Sequence, residues 1–170
     1  MTTTIADPLT LPCGVRLKNR LVKAAMTEGL ADARNRATSR HETLYARWAK
    51  GGAGLLLTGN VQVDRRYLER PGNVAIDGAQ DADASAALEA YAIAATANGA
   101  EIMVQLSHAG RQTPVYVTKT PVAPSAVAVE LPGGQFGAPR ALTGDEIADV
   151  IARFVHAASV CKSAGFSGVQ

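Results

Sequence analysis

The sequence predicts an α/β fold of the TIM (β/α)8 barrel type, of which only the first half, about four strands and three helices, fits in 170 residues. Apolar runs suited to strands alternate with segments of helical periodicity, and polar residues directly follow the strand runs. Barrels of this type need about 250 residues and carry their reactive groups at the carboxyl ends of the strands. We therefore expect residues 1–170 to form one N-terminal half-barrel that ends within its fourth strand.

The N-terminal segment predicts a hairpin, a strand and a helix. Short apolar pieces on either side of a Pro-Cys-Gly turn indicate a hairpin over residues 9–17, and residues 21–26 are typical of a buried strand. Ser39 and Glu42 match a capping box, in which a hydroxyl and a carboxylate accept from each other's backbone amides. A helix is therefore expected to run from there to the next pair of glycines, which ends it.

The central segment predicts a second strand, a second helix and a third strand. Residues 54–60 form a continuous apolar run, which is typical of a parallel strand covered on both faces. Residues 61–80 contain several charges and a Pro-Gly pair, so we expect a long loop there. An alanine-rich helix over residues 81–97, capped by an aspartate, should then lead into a third strand over residues 101–106.

A long connection separates the third strand from the last helix. Residues 107–142 hold five of the eight prolines, and loops of this length inside a compact domain are usually functional or disordered. Thr143 and Glu146 form a second capping-box pattern, followed by apolar residues at the three- and four-residue spacing of one buried helix face. Gly165 should end this helix, and a fourth strand is expected to begin at Phe166.

The composition excludes several classes of partner. With a net charge of +2, the chain has no strong positive electrostatic field to attract nucleic acid, and with 5% aromatic residues it has no surface on which bases could stack. The N-terminus lacks a signal-peptide pattern, and the longest apolar run is far too short to span a bilayer. Cys13 and Cys161 are too isolated to form a metal or redox motif. We therefore expect a cytoplasmic protein with no nucleic-acid partner, no membrane and no metal.

Polar residues occur where three predicted strands end. Thr27 follows the first strand, Gly59 ends the second, and Gln105 ends the third, with His108 and Arg111 just beyond it. Because the carboxyl ends of parallel strands share one edge of a sheet, we expect these residues to lie close together. They do not include a nucleophile, a general base and an acid that could act together, so no catalytic residue is assigned. Such a set suits a planar, hydrogen-bonding cofactor better than it suits covalent catalysis.

Three segments carry a resemblance to a known family. Residues 18–27, 51–60 and 104–111 resemble the first three strands of the old yellow enzyme family, which comprises NADH:flavin oxidoreductases and NADH oxidases. The most specific part is the Gln-Leu-Ser-His-Ala-Gly-Arg segment that begins at Gln105. Shorter matches continue in the same order at residues 123–125, 142–143 and 164–166. The resemblance therefore covers nearly the whole chain.

The resemblance implies a barrel that binds FMN noncovalently and takes hydride from NADH or NADPH. The reduced flavin would then pass the hydride to a small-molecule acceptor, an activated alkene or a related compound. Six residues would contact the flavin: Ala24, Ala25 and Met26 through main chain, Thr27 near the N5/O4 edge, Gly59 through close backbone approach, and Gln105 at the pyrimidine edge.

The same resemblance leaves part of the site unassigned. His108 and Arg111 are expected either on the substrate side or as anchors of the long loop, through hydrogen bonds and a salt bridge. Gly29 stands where many relatives carry a Tyr, so an aromatic contact to substrate is not expected there. In the family the substrate-anchoring pair follows the fourth strand, and the phosphate-binding residues lie further on. We therefore expect residues 1–170 alone to bind FMN weakly or not at all and to be inactive.

Other interpretations of these residues stay open at this point. Ala24 and Ala25 equally suit barrel packing, and Thr27 and Gln105 could bond neighbouring loop backbone. One alternative function is a non-catalytic half-barrel that self-associates to cover its open sheet edges. Another is a TIM-barrel lyase in which Gln105 and His108 serve an anionic substrate. The expected macromolecular partner is a second copy of the chain or a complementary C-terminal half.

Overall fold

The computed structural model describes residues 2–170, and strands and helices alternate along them. In chain order the elements are β1 (Leu9–Thr10), β2 (Arg16–Leu17), β3 (Val22–Lys23), α1 (Ser39–Lys50), β4 (Leu55–Gln62), α2 (Ala82–Thr96), β5 (Glu101–Ser107), β6 (Val122–Ala123), β7 (Arg140–Ala141), α3 (Gly144–Ser163) and β8 (Gly168–Val169). Strands β1 and β2 pair antiparallel and form the predicted hairpin. The main sheet contains the four predicted strands, and the three predicted helices are also present.

The main sheet is parallel throughout and has the strand order β3-β4-β5-β8. Leu55 of β4 lies opposite Val22 of β3 on one side and opposite Glu101 of β5 on the other. Met103 of β5 lies opposite Gly168 of β8. Each connection between neighbouring strands contains one α-helix, which is the usual crossover between parallel strands. The carboxyl ends of all four strands therefore meet at one edge.

The hydrophobic core lies between one face of this sheet and the helices. Leu56 and Ile102 point from β4 and β5 into a cluster that includes Tyr45 of α1 and Tyr91 of α2, all of them buried. Phe166 joins the cluster edge-to-face with Tyr91, at a ring-centroid distance of 5.5 Å. Each large apolar side chain buried in this way stabilises the fold by about 1.5–3 kcal/mol. Ala157 and Cys161 pack α3 into the same cluster, whereas Ile147, Ile151 and Val155, which the sequence predicted on the buried face of α3, are 39%, 60% and 66% exposed.

Two predictions about strand burial are wrong. Only residues 22–23 of the first predicted strand join the ladder, and Val22 and Met26 are 49% and 50% exposed. The reason is that β3 lies at the edge of the sheet. Strand β4 is buried at Leu56 and Thr58 but only half-buried at Leu55 and Leu57, so one face of its first half is not fully covered, whereas Gly59, Val61 and Gln62 are all buried. Here the helices of residues 2–170 cover one face only.

Asn19 fixes the start of β3 to the turn that precedes β4. Its side-chain amide donates to the Gly52 carbonyl at 2.7 Å, and its Oδ1 accepts from the Leu21 amide at 3.1 Å. A Cβ at Gly54 would lie 2.6 Å from the Asn19 carbonyl oxygen, so a larger residue at this position would separate the two segments. The Asn19 and Gly54 positions of the family resemblance thus have a structural role in joining β3 to β4.

The N-terminus of α1 differs from the predicted capping box. Thr38, not Ser39, is the N-cap residue, with extended backbone angles of φ −136° and ψ 165°. The Thr38 amide donates to Nδ1 of His41 at 3.1 Å, so a histidine takes the place expected for Glu42. His41 is buried and stacks near Tyr91, at a ring-centroid distance of 5.1 Å. A buried histidine that packs against α2 therefore completes the cap of α1.

The two segments expected to be loops contain more structure than their composition indicates. Strand β4 continues to Gln62, which lies opposite Ser107 in the ladder with β5, and the Gln62 amide also donates to the Val74 carbonyl at 2.8 Å. The connection over residues 107–142 contains a short 3-10 helix at Gly110–Gln112 and the parallel pair β6–β7. Its register places Val122 opposite Arg140, and Val122 is buried. Both segments therefore take a defined conformation because they pair with residues that are distant in the sequence.

The predicted capping box of α3 is confirmed. The Glu146 amide donates to Oγ1 of Thr143 at 3.2 Å, and Oε2 of Glu146 accepts from the Thr143 amide at 2.8 Å. Arg140 forms a two-pronged ion pair with the same carboxylate, with distances of 2.7 and 2.8 Å. The hydrogen bond from Arg140, and next that from the Thr143 amide, lower the pKa of Glu146 to about 2.

This depressed pKa predicts a pH-dependent contribution to stability. A carboxylate whose pKa is lower in the folded state stabilises the fold above its ordinary pKa of 4.5, and this contribution is lost as the pH falls to about 2. Glu146→Gln should therefore lower the midpoint of urea unfolding near neutral pH and have no effect at the acid end. Glu89→Gln, on an exposed position of α2, is the control. The prediction would be contradicted if the urea midpoints of the parent and Glu146→Gln differed by the same amount near neutral pH and at acid pH.

Candidate active site at the strand ends

Hydrogen bonds connect the carboxyl ends of the first three strands of the main sheet. The Asn60 side-chain amide donates to Oγ1 of Thr27 at 3.4 Å, which joins the segment after β3 to β4. The Gln105 backbone amide donates to Oγ1 of Thr58 at 2.9 Å, and Gln105 lies opposite Asn60 in the β4–β5 ladder. The structure therefore brings together Thr27 and Gln105, as expected from the sequence, with Asn60 between them.

Gly59 lies at an irregularity of β4 and in contact with the end of the first strand. The β4–β5 register shifts between Leu57 and Asn60, which places Gly59 in the bulge. A Cβ at this position would lie 2.8 Å from Cα of Thr27 and closer still to the Met26 carbonyl oxygen. The Gly59 amide donates to Oε1 of Glu28 at 3.1 Å. Glycine is therefore required for the backbone of β4 to approach the preceding strand.

The segment after β3 contains exposed residues beside Thr27. Ala24 is exposed, Ala25 is half-buried, and Met26 is 50% exposed. None of these three residues lies in a regular strand. Within residues 2–170, Ala24 is therefore not packed in the core. The edge where Thr27 lies is therefore not covered by this segment within residues 2–170.

The Gln105 side chain extends along the same edge toward β8. Its Nε2 donates to Oε1 of Gln170 at 3.0 Å, and the side chain is half-buried. Because a carboxamide has two N–H groups and a carbonyl that accepts twice, this single bond leaves Gln105 able to donate and to accept. The side chain can therefore pair with a group that has both donor and acceptor atoms.

His108 and Arg111 differ in their surroundings. Nδ1 of His108 accepts from the Gly110 amide at 3.0 Å, and its ring lies 5.3 Å from that of Tyr67. Burial lowers the pKa of His108, while the nearby Asp64 carboxylate opposes the shift. Arg111 is half-buried and forms no ion pair among residues 2–170. His108 therefore fixes the start of the long connection, whereas the expected salt bridge of Arg111 is absent there.

Three residues that sequence reasoning did not assign stand directly behind this edge. Oε1 of Glu28 accepts from the Tyr45 hydroxyl as well as from the Gly59 amide. Lys23 donates to the Leu57 carbonyl at 2.6 Å and to the Tyr45 hydroxyl at 3.3 Å. The sequence signals were a lysine among the apolar residues of the first strand and a glutamate next to Thr27. We call Lys23, Glu28 and Tyr45 the Glu28 cluster.

Burial shifts the pKa values of Tyr45 and Lys23 in the Glu28 cluster. Burial, followed by the charge of Glu28, raises the pKa of Tyr45 above its ordinary value. Burial lowers the pKa of Lys23, and the attraction of Glu28 opposes this effect. Nζ of Lys23 also lies 4.1 Å from the ring centroid of Trp48, a cation–π contact. The Tyr45 phenol is therefore a neutral donor near neutral pH.

Two further properties bear on the chemistry of this chain. Across residues 2–170, His, Cys, Asp and Glu side chains nowhere gather in groups of three that could hold a metal ion. In the same part of the chain, none of the helices combines the length and apolar character that crossing a bilayer requires.

The close approach at Gly59 predicts a strong effect of a single methyl group. Gly59→Ala should destabilise the protein by about 1–3 kcal/mol, because the added Cβ overlaps the backbone of Met26 and Thr27. Gly78→Ala is the matched control, since a Cβ there meets nothing within 4 Å. Urea unfolding followed by circular dichroism measures both. Equal midpoints for Gly59→Ala and the parent would show that the two strand ends are not in contact.

The sequence comparisons agree on one family. The family model of the NADH:flavin oxidoreductase / NADH oxidase family matches residues 5–170. An NADH-dependent flavin oxidoreductase of Hypocrea jecorina (strain QM6a), iliE, is 38% identical over 179 residues, which cover 96% of this chain and 44% of that protein. An NADH oxidase of Thermoanaerobacter brockii is 38% identical over 157 residues, which cover 91% of this chain and 23% of that protein.

Solved structures give the same result. Morphinone reductase superposes with a TM-score of 0.83 at 27% identity, covering 97% of this chain and 46% of that one. The old yellow enzyme homologue from Zymomonas mobilis superposes with a TM-score of 0.84 at 28% identity, covering 99% and 48%. The chain thus spans less than half the length of these relatives, and the predicted partial TIM barrel is confirmed. The chain belongs to the NADH:flavin oxidoreductase / NADH oxidase family, that of the old yellow enzymes.

Proposed function

We propose that this protein, in its complete form, is an FMN-dependent oxidoreductase of the ene-reductase or NADH oxidase type. NADH or NADPH is the hydride donor, and an activated alkene or a related small molecule is the acceptor. FMN and a nicotinamide donor are the cofactors of the family to which the chain belongs. The observation that carries the proposal is the edge where Thr27, Gly59 and Gln105 lie on three adjacent strand ends.

The residues at this edge fit a flavin. A flavin is planar, and its pyrimidine edge has both hydrogen-bond donors and acceptors, which the half-buried Gln105 carboxamide can match. Ala24 and Met26, which are exposed beside Thr27, are proposed to offer backbone groups to such a ring. FMN, when bound, supplies reversible uptake of hydride. In this proposal residues 1–170 are one half-barrel domain that supplies the pyrimidine-side contacts.

Thr27 and Gly59 have distinct proposed roles. Oγ1 of Thr27 accepts from Asn60, which orients the hydroxyl and leaves its hydrogen able to donate to a flavin carbonyl or ring nitrogen. Such a bond at the reactive end of the ring tunes its redox potential. Gly59 presents no side chain at this edge, so the backbone of β4 can lie against the ring. The proposed flavin-facing set is therefore Ala24, Ala25, Met26, Thr27, Gly59 and Gln105.

His108 and Arg111 are assigned separately. The contacts of His108 with Gly110 and Tyr67 support a loop-anchoring role. Arg111, with no ion pair in the described part of the chain, is the one proposed on the substrate side. Its guanidinium would attract the negative end of an acceptor or the phosphates of a nicotinamide donor.

The partner and location are also proposals. Ile147, Ile151 and Val155 recur on one exposed stripe of α3, and Ile151 and Val155 are 60% and 66% exposed. An apolar stripe of this kind favours contact with a further element, either a complementary C-terminal half or a second copy of the chain. The near-neutral composition supports a cytoplasmic enzyme that acts on small molecules.

Flavin content is the first test of the proposed function. The purified complete protein should be yellow, with flavin absorbance that is bleached by NADH or NADPH under anaerobic conditions. A non-catalytic module or a lyase would show neither property. Colourless protein that takes up no added FMN would overturn the proposal.

Two substitutions should separate affinity from redox potential in the complete protein. Gln105→Ala should weaken FMN binding by about tenfold or more, since an unpaired buried flavin edge costs about 1–3 kcal/mol. Thr27→Ala should shift the flavin midpoint potential more than the affinity. Fluorescence titration and potentiometry measure the two effects, and Gln135→Ala, at an exposed position, is the control. Normal affinity and potential in Gln105→Ala would show that the cofactor lies elsewhere.

A further inference from the structure

The ladder between β3 and β4 stops before it reaches the candidate site. Its last pair is Lys23 opposite Leu56, whereas Thr27 and Gly59 lie further along the two chains. Beyond Lys23, no backbone hydrogen bond joins residues 24–28 to β4 in the described chain. The relative position of Thr27 and Gly59 therefore depends on other contacts.

The Glu28 cluster supplies these contacts. Lys23 donates to the Leu57 carbonyl at 2.6 Å, and Glu28 accepts from the Gly59 amide at 3.1 Å. These two backbone groups lie on either side of Thr58, within the stretch of β4 where the register with β5 shifts. Side chains of the first strand thus replace the missing ladder bonds at the bulge. Together with the Asn60–Thr27 hydrogen bond, they hold the end of the first strand to β4.

Tyr45 attaches this junction to the rigid core. The Tyr45 side chain is fully buried, and its ring packs edge-to-face against Trp48 and Tyr91 at centroid distances of 4.8 and 4.7 Å. Its hydroxyl donates to the same Glu28 oxygen that receives the Gly59 amide. The Glu28 carboxylate is therefore fixed from helix α1, and it fixes the β4 backbone in turn. Hydrogen bonds to a carboxylate are stronger than hydrogen bonds to a neutral acceptor.

We propose that Glu28 is a positioning residue for the flavin site, where it sets the distance between Thr27 and Gly59 through the Gly59 amide and the Tyr45 hydroxyl. The inference rests on the proposed function, since the two residues are positioned for a flavin. Glu28 itself faces the junction between β4 and α1 and is not one of the proposed flavin contacts. Its effect on the cofactor is therefore transmitted through the backbone of β4.

The test compares three variants of the complete protein loaded with FMN. Glu28→Ala removes the acceptor and should raise the FMN dissociation constant by about tenfold or more. Glu28→Gln keeps an Oε1 for both donors and should restore affinity to within about threefold of the parent. Tyr45→Phe keeps the bond to Gly59 but releases the carboxylate from α1, so its dissociation constant should fall between the two. Glu89→Ala, on the exposed side of α2, is the control for loss of a carboxylate.

A second readout needs no flavin. Hydrogen exchange of the peptide that contains Gly59, measured on the FMN-free protein, should accelerate in Glu28→Ala and stay at the parent rate in Glu28→Gln. If Glu28→Ala does not fold, the FMN dissociation constants of Glu28→Gln and Tyr45→Phe still test the inference, since Tyr45→Phe should bind FMN more weakly than Glu28→Gln. Parent-like affinity and exchange in Glu28→Ala, or a Glu28→Gln variant as impaired as Glu28→Ala, would overturn the inference while leaving the proposed function intact. A parent protein that binds no FMN would overturn both.

Discussion

The contact between the end of the first strand and the bulge of β4 is the constraint on which the candidate site depends. Backbone from the two chains approaches so closely at Gly59 that a Cβ there would overlap the main chain of Met26 and Thr27. The approach places the Thr27 hydroxyl within reach of Asn60, and Asn60 stands opposite Gln105 in the ladder. Any change that widens this gap therefore moves all three polar groups at the strand ends.

The same contact explains why charged residues occur in an otherwise apolar part of the fold. Lys23 and Glu28 bind backbone groups of β4 that the irregular strand leaves without ladder partners. A buried donor or acceptor that loses its partner costs about 1–3 kcal/mol, so the cluster stabilises the bulge as a unit. Substitutions at Lys23, Glu28 and Tyr45 should accordingly be non-additive, since these residues share bonds.

Elements with a local signal were predicted well. The α3 helix follows from apolar residues at three- and four-residue spacing and from the Thr143 and Glu146 capping box, all within one segment. Predictions failed where a distant partner decides. His41, which packs against Tyr91, completes the N-terminal cap of α1, and β4 extends to Gln62 because Gln62 pairs with Ser107 of β5. Neither contact leaves a pattern in the local sequence.

The sequence by itself determined the order of strands and helices, the family, and the identity of Thr27, Gly59 and Gln105 at the strand ends, because periodicity, capping and motif order are properties of neighbouring residues. Only the tertiary structure decided that β3 is an exposed edge, that residues 107–142 contain a paired β6–β7, and that Glu28 reaches Tyr45, 17 residues away. The physical reason is that burial and side-chain pairing depend on which distant segments the folded sheet brings into contact.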